Sequence, residues 1–384
     1  MNKNTALVLS GGGARGAYQV GVLQGLSEIL KKEKIEPPFR ILSGTSAGAI
    51  NTAKLASTNG DFHSAVSELV QLWSKIKTDQ VFKADIISLN TLGLGALLGG
   101  KQKKFNSILD TAPLKNLIDK NCNFKNVQSN LEKGLFDSVI ITANNYSRNS
   151  AVSFIQTASR VNEKLLKWKE LRRKAVHAQL QSEHILASSA IPMLFPPIQI
   201  TGEPYGDGCV RNNTPCSPSI RMGANKLLVI GVRSANSSGG APLKEDSRVI
   251  HEASMVRILN TLLNAVMLDS VEQDVHRIQR LNALYDEATT HNMHFKATSL
   301  KKLPAICISP SQDIGELART KAHHVPRILR MTISAFGELD EASEILSYLL
   351  FDSDFCKSLI DMGHKDCLNQ KKEILNFLNE EAYD

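Results

Sequence analysis

Residues 40–57 read RILSGTSAGAINTAKLAS: an apolar run, then Gly-Thr-Ser-Ala-Gly, then an alanine-rich stretch with the composition of a helix. A strand that turns sharply into a helix through G-x-S-x-G is the pattern of a nucleophile elbow. Gly44 and Gly48 permit the turn and the close packing of strand on helix, and they leave the hydroxyl of Ser46 at the tip. The helix that begins after Ser46 directs its free amide groups and positive dipole end at the same place, where an alkoxide or oxyanion would be stabilised. On spacing alone a helix N-cap serine satisfies the same pattern.

Upstream stands a second strand-to-helix turn, LSGGGARGAYQVGVL at residues 9–23. TALVLS (5–10) has the length and apolarity of a buried strand. AYQVGVLQGLSEILKK (17–32) puts Ala17, Val20, Leu23, Leu26 and Leu30 on one helical face. The glycines between them satisfy G-x-G-x-x-G through Gly11, Gly13 and Gly16, which raises a dinucleotide-binding oxidoreductase as one reading. That reading needs a carboxylate at the end of the second strand. PFRILSG (38–44) instead ends in Ser43 and Gly44, with Glu33 and Glu36 lying before it in a polar loop. The alternative is an oxyanion hole beside Ser46, because a glycine-rich turn offers backbone N–H groups with no side chain in the way; Gly12 and Gly13 are the expected donors. Arg15 would stiffen that loop by hydrogen bonding or add positive potential to it; an ordinary surface arginine at a helix start is the plainer role.

A base is then required. None of the ten histidines (His63, His177, His184, His251, His276, His291, His294, His323, His324 and His364) sits in a short glycine-bounded loop after a strand. The carboxylate that stands out is Asp207 in ITGEPYGDGCVRNNTP (200–215), flanked by Gly206 and Gly208, approached by the strand-like FPPIQI, and followed by Asn212, Asn213 and Pro215. An aspartate has a resting pKa of about 4, so it serves as a general base only if burial raises that value. The commoner use of Asp-Gly is a hairpin turn.

G-G-G-x-R-G near the N-terminus, G-T-S-A-G around residue 46 and D-G followed by N-N-x-P near residue 207 together resemble the patatin-like phospholipase family, in its bacterial form. ASSAIPMLFPP (187–197) and SILDTAPLKNLI (107–118) extend the likeness, which covers roughly residues 5–233. It implies an α/β fold of three layers, α/β/α, with a mostly parallel central sheet. It also implies Ser46 as nucleophile, Asp207 as its dyad partner, and the loop of Gly11, Gly12, Gly13, Arg15 and Gly16 as oxyanion hole. The chain departs from the family in carrying Ser10 where aspartate is common and Cys209 where glycine or alanine follows D-G; cysteine is small and tolerated when buried.

Composition fits an enzyme-sized globular chain: of 384 residues 42% are hydrophobic and 22% charged, which argues against disorder. The six cysteines, Cys122, Cys209, Cys216, Cys307, Cys356 and Cys367, form no C-x-x-C pair, as expected for a reducing compartment without a zinc site. No calcium-loop cluster of acids is visible, and the reaction implied by the dyad requires no metal or cofactor. The start MNKNTALVLSGGG has no signal-peptide pattern, and no apolar stretch approaches the roughly 20 residues of a membrane span. A cytoplasmic, peripherally membrane-associated protein is expected, with export by a dedicated machine left open.

The net charge of +7 points to an anionic lipid surface rather than to nucleic acid. EKLLKWKELRRKAVHAQL (163–180) would, as a helix, set Lys164, Lys167, Lys169, Arg172, Arg173 and Lys174 against Leu165, Leu166, Trp168, Leu171 and Val176; a core-packed helix with a solvated basic face is equally consistent. VFKADIISLNTLGLGALLGGKQKKFN (81–106) is apolar and glycine-rich, suited to a lid or acyl-chain wall, or to a plain helix-turn-helix. The expected domains are a catalytic unit over 1–234, a small-residue linker over 235–246, and a mainly helical region over 247–384 packed on the core, with one late strand at 304–310 and capacity for regulation or a homodimer contact. The function expected is serine-dependent release of fatty acid from a phospholipid or lysophospholipid. Its competitors are a silent or activator-dependent module that binds lipid or protein and, behind it, the dinucleotide enzyme.

Overall fold

Parallel strands need crossovers of a dozen or more residues, and here the apolar segments 5–9, 39–45, 226–230 and 305–308 each have a helix as the next described element. The computed structural model describes residues 4–84, 107–212, 214–234, 255–267, 269–291, 301–325, 330 and 342–380. The strands are β1 (Thr5–Leu9), β2 (Phe39–Thr45), β3 (Lys83–Ala84), β4 (Leu109–Asp110), β5 (Ser138–Asn145), β6 (Ser150–Thr157), β7 (Lys169–Glu170), β8 (Arg173–His177), β9 (Ile198–Ile200), β10 (Glu203–Asp207), β11 (Lys226–Ile230) and β12 (Ala305–Ile308). The helices are α1 (Gly16–Glu33), α2 (Ala47–Ser57), α3 (Phe62–Ser74), α4 (Ala112–Asn121), α5 (Phe124–Glu132), α6 (Ser182–Ser188), α7 (Ser217–Arg221), α8 (Met255–Met267), α9 (Asp269–Thr290), α10 (Ile314–Thr320), α11 (Ser343–Leu349), α12 (Ser353–Asn369) and α13 (Lys371–Asn379).

The main sheet runs β12-β11-β1-β2-β5-β6-β8-β7. From β12 to β5 every ladder is parallel, while β6 pairs antiparallel with β5, β8 parallel with β6, and β7 antiparallel with β8. Side chains alternate across the strands, so Leu7, Leu9, Leu42, Ile141, Leu228 and Ile230 enter one core. Ala6, Val8, Ile41, Ile140, Leu227 and Val229 enter the other. The first core is covered by α1, α3 and α12, the second by α9 through Val271, Val275 and Ile278. Burial on both faces explains why the central strands read as continuous apolar runs. The protein is thus α/β/α, with a mostly parallel sheet between helical layers.

The C-terminal residues take part in this core. Strand β12 extends the sheet beside β11, with Leu227 opposite Ala305 and Ile230 opposite Ile308. The expected helical face of residues 17–32 forms within α1, and Ala17, Val20, Leu23, Leu26 and Leu30 are all buried. Tyr18, Val22 and Ile29 are buried as well, because α12 packs against another side of the same helix.

The basic stretch at 163–180 is not a helix. It forms a short turn at Glu163–Leu166 and then the hairpin β7–β8. The open edge of β6 takes β8 as a partner, which satisfies backbone groups that a helix would leave bare. Leu165, Leu166 and Trp168 pack on the second core, Leu171 is exposed at the hairpin turn, and Arg173 bonds to Glu170 and Thr214. The amphipathic basic helix expected there is therefore absent.

Of the apolar stretch 81–106, only Val81–Ala84 are described; the remainder of the expected lid, and the linker at 235–246, lie outside the described residues. Among the described residues no helix is long and apolar enough to cross a membrane.

Candidate active site

Strand β5 has two neighbours on one side, in succession. Strand β2 pairs with it as far as Thr45 opposite Thr142, and β10 takes over at the next position, with Asp207 opposite Ala143. The residue after Thr45 is Ser46. Shared use of β5 thus brings Ser46 and Asp207 together although 161 positions separate them.

Ser46 has φ 55° and ψ −124°, a left-handed conformation at the strand-to-helix turn. A β-carbon on Gly44 would lie 2.3 Å from the Gly48 carbonyl oxygen, and one on Gly48 would lie 2.2 Å from the Leu9 carbonyl oxygen. The turn can close this tightly only with glycine at both positions. The backbone of Ser46 is clamped from α6 and the residue after it. Its N–H donates to Ser188 Oγ at 2.9 Å, Ser188 Oγ donates to the Thr142 carbonyl at 2.6 Å, and Ser189 Oγ donates to the Ser46 carbonyl at 3.1 Å.

Ser46 Oγ donates to Asp207 Oδ2 at 2.6 Å, and Cys209 N–H donates to Asp207 Oδ1 at 2.9 Å. The Asp207 backbone N–H is fixed on the Ala190 carbonyl at 2.9 Å. Serine and aspartate are 1% and 0% exposed. Burial pushes the Asp207 carboxyl up to about 6, against the hydrogen bonds from Ser46 and Cys209, which pull it down. Among the described residues no histidine bonds to either group: His63 meets Ser27, His184 caps α6 and meets the Phe154 ring edge-on, and His364 meets Glu28.

The glycine loop lies against the elbow. A β-carbon on Gly11 would be 2.9 Å from Ser46 Cβ and 2.3 Å from Cys209 Sγ. The Gly11 N–H is directed to that sulfur. Gly13 has φ 58°, and a β-carbon there would lie 2.3 Å from the Tyr348 carbonyl oxygen. Among the described residues nothing accepts the Gly12 and Gly13 N–H groups, whereas the Arg15 N–H is bonded to the Gly12 carbonyl at 3.1 Å and the Gly16 N–H to the carbonyls of Gly13 and Ala14. The Arg15 guanidinium is bonded to Glu344, Ser347 and the Val232 carbonyl, and so braces the loop.

For a dinucleotide the site lacks the necessary parts. Strand β2 ends in Thr45 with no carboxylate, and the space beside Gly11, Gly12 and Gly13 is taken by Cys209, Val232 and Tyr348. A wide cleft lined by Arg40, Asp137 and Arg160 lies at the opposite, amino-terminal ends of β2 and β5, and its charges pair with one another. The grouping able to hold a metal found among the described residues, His324, Asp352 and Asp354, includes neither Ser46 nor Asp207, and Asp352 there already caps α12.

Two small cavities share Met267 of α8, and the first lies beside the elbow. Gly11, Thr45 and Cys209 line the first, and Ile191, Leu194, Leu263, Ile345 and Tyr348 line the other. Ser188, Ser189 and Tyr348 are parts of the site that motif reading did not assign. The serines lie inside the ASSA segment, whose likeness to the family was visible without its role; Tyr348 carries no local signal.

A model of the patatin-like phospholipase family matches residues 7–220. Among solved structures the chain is similar to VipD from Legionella pneumophila, at 13% identity over 94% of this chain and 67% of that one, with a TM-score of 0.32. It is similar also to human GIVD cytosolic phospholipase A2, at 11% identity over 98% of this chain and 60% of that one, with a TM-score of 0.40. The chain thus spans 60% of the length of the human protein. No curated protein matches it.

Proposed function

Because the chain belongs to the patatin-like phospholipase family, we propose that it is a serine lipid acyl hydrolase that releases fatty acids from phospholipids or lysophospholipids through a Ser46–Asp207 dyad. The observation that carries this reading is the 2.6 Å hydrogen bond from Ser46 Oγ to the fully buried Asp207, whose carboxyl is raised to about 6. At neutral pH such a carboxylate is ionised, and it is a far stronger base than an aspartate in water.

In the proposed reaction Asp207 takes the Ser46 proton as Oγ attacks the ester carbonyl. The oxyanion forms within reach of the Gly12 and Gly13 N–H groups and the first turn of α2. Gly11, Arg15 and Gly16 shape the loop that presents those donors. The alcohol portion of the lipid leaves with the proton from Asp207, and water activated by the same carboxylate cleaves the acyl-enzyme to free the fatty acid. Every proton in this scheme passes through groups of the chain itself.

Activator dependence is favoured by one observation: Ser46 is 1% exposed, so an ester reaches it only after a neighbouring segment moves. A protein activator or an anionic lipid surface would supply that movement.

Fatty-acid release from mixed phospholipid and lysophospholipid vesicles, followed by mass spectrometry, tests the proposal. Native chain, Ser46→Ala and Asp207→Asn are compared with metal chelator present. Loss of release in both variants is expected, whereas release that persists in Ser46→Ala refutes the proposal.

A further inference from the structure

The loop that carries Gly12 and Gly13 is braced by a helix far beyond residue 220, where the family match ends. Arg15 closes that loop immediately before α1, and although it is an arginine it is only 2% exposed. Its Nε donates to Ser347 Oγ at 2.8 Å, its Nη1 to the Val232 carbonyl at 3.3 Å, and its Nη2 to the Glu344 carboxylate. Glu344 is itself 5% exposed, and the Ser347 hydroxyl is fixed in turn on the Glu344 carbonyl. The guanidinium lies 5.1 Å from the centre of the Tyr348 ring, and the Tyr348 carbonyl presses on Gly13. Residues 344, 347 and 348 fall on one face of α11, and that face meets the loop.

A buried ion pair is a poor means of simple adhesion, since an apolar pair of the same volume holds two surfaces at least as well. Its advantage is direction: a guanidinium fork bound at three points has one orientation. Here that orientation sets the backbone of Arg15, and the Arg15 N–H is bonded to Gly12. We propose that Glu344 and Ser347 are positioning residues for the ester hydrolysis, holding Arg15 so that the Gly12 and Gly13 N–H groups stay aimed at the oxyanion. The inference rests on the hydrolase reading above. It makes the C-terminal part of the chain a working part of the site.

The test uses the full chain with Glu344→Gln, Glu344→Asp, Ser347→Ala and, as a control, Leu346→Val. Leu346 is fully buried in the same helix and touches none of the Arg15 bonds. Three quantities are measured: kcat and KM on the ester that native chain cleaves, the rate at which an alkyl fluorophosphonate labels Ser46, and Tm. In the labelling step Ser46 Oγ bonds to phosphorus, fluoride leaves, and the serine proton passes to Asp207, so the rate reports the oxyanion donors without requiring the natural lipid.

Loss of one oxyanion donor lowers kcat by about 10²–10³; Glu344→Gln displaces donors without deleting them, and a fall of roughly 10–100-fold in kcat and in labelling rate is expected, with KM nearly unchanged. Glu344→Asp should recover part of it. The inference is overturned if Glu344→Gln lowers Tm alone, or if Leu346→Val at equal loss of Tm slows kcat and labelling as much. Failure of native chain to label at Ser46 would overturn the hydrolase reading and this inference with it. Equal labelling of native and Glu344→Gln chains would overturn the inference alone.

Discussion

Asp207→Asn should abolish ester hydrolysis and at the same time stabilise the protein, and the size of the second effect follows from the burial of the carboxyl. Folding raises the Asp207 value from 3.8 to about 6. The fold therefore prefers the protonated acid, and ionised Asp207 is a liability. The penalty is absent below about pH 4, grows as pH rises between about 4 and 6, and is complete above about 6; a shift of about two units corresponds to about 3 kcal/mol at neutral pH. Asparagine keeps the shape and never ionises: its oxygen can accept from Cys209 N–H and its amide can donate to Ser46 Oγ. The variant should melt on the order of 5 °C above native chain at pH 8, and the gap should close toward pH 4.5. The base must be ionised to act, so native kcat/KM should rise through about pH 6 to a plateau and stand roughly tenfold lower at pH 5. Differential scanning fluorimetry across pH, beside a pH–rate profile, measures both. A native profile flat from pH 5 to 8, or an Asn variant no more stable than native at pH 8, refutes the reasoning.

Three further substitutions test other contacts. Ser188→Ala removes the acceptor of the Ser46 N–H, so a loss of about 1–3 kcal/mol in stability is expected from denaturant unfolding, together with a lower kcat. Gly13→Ala puts a β-carbon 2.3 Å from the Tyr348 carbonyl oxygen at φ 58°; a fall in kcat on the order of 100-fold is expected, read with the same vesicle assay. Cys209→Ala admits water beside Asp207, which lowers its value, and removes the thiol hydrogen bond, whose loss raises it. Because burial is the largest cause of the raised value, the acid limb of the pH–rate profile should move below about 6, and a limb that moves up instead would show that the lost hydrogen bond outweighs the admitted water.

The motif residues were legible because each needed a special backbone. Gly44, Gly48 and the glycine loop announce turns that no other residue tolerates, and apolar runs between them announce strands buried on both faces. Proximity of Ser46 to Asp207 was inferred through family likeness; its structural cause, the handover from β2 to β10 along β5, lies in long-range pairing that no local window contains. The same limit explains the basic stretch at 163–180. Its leucines and tryptophan fit helical spacing, but the free edge of β6 supplied a partner, and tertiary pairing outweighed local preference. Arg15 was visible as a loop brace, whereas Glu344, Ser347 and Tyr348 sit in an ordinary amphipathic helix and carry no signal until the fold sets them on the loop.

A serine nucleophile usually relies on histidine because its value near 6.5 suits proton transfer at neutral pH. In this chain burial moves an aspartate from 3.8 to about 6, close to the same range. That position is a balance between opposing causes. Removing water raises the carboxyl; the Ser46 hydroxyl and the N–H and thiol of Cys209 lower it. With fewer donors the acid would stay protonated at neutral pH and could not accept the serine proton; with more donors or free water it would fall back toward 4 and become too weak a base. The enclosure that keeps Ser46 and Asp207 at 1% and 0% exposure therefore has a chemical role in the proposed reaction. Any segment that opens to admit a lipid must let the acyl chain replace it as the barrier to water. An ester with a short acyl chain should leave the opened site wetter, and its acid limb should lie at lower pH than that of a long-chain ester. Comparing kcat/KM for the two across pH 4.5–8 tests this directly: coincident limbs would mean that the protein alone, without help from the substrate, keeps Asp207 dry.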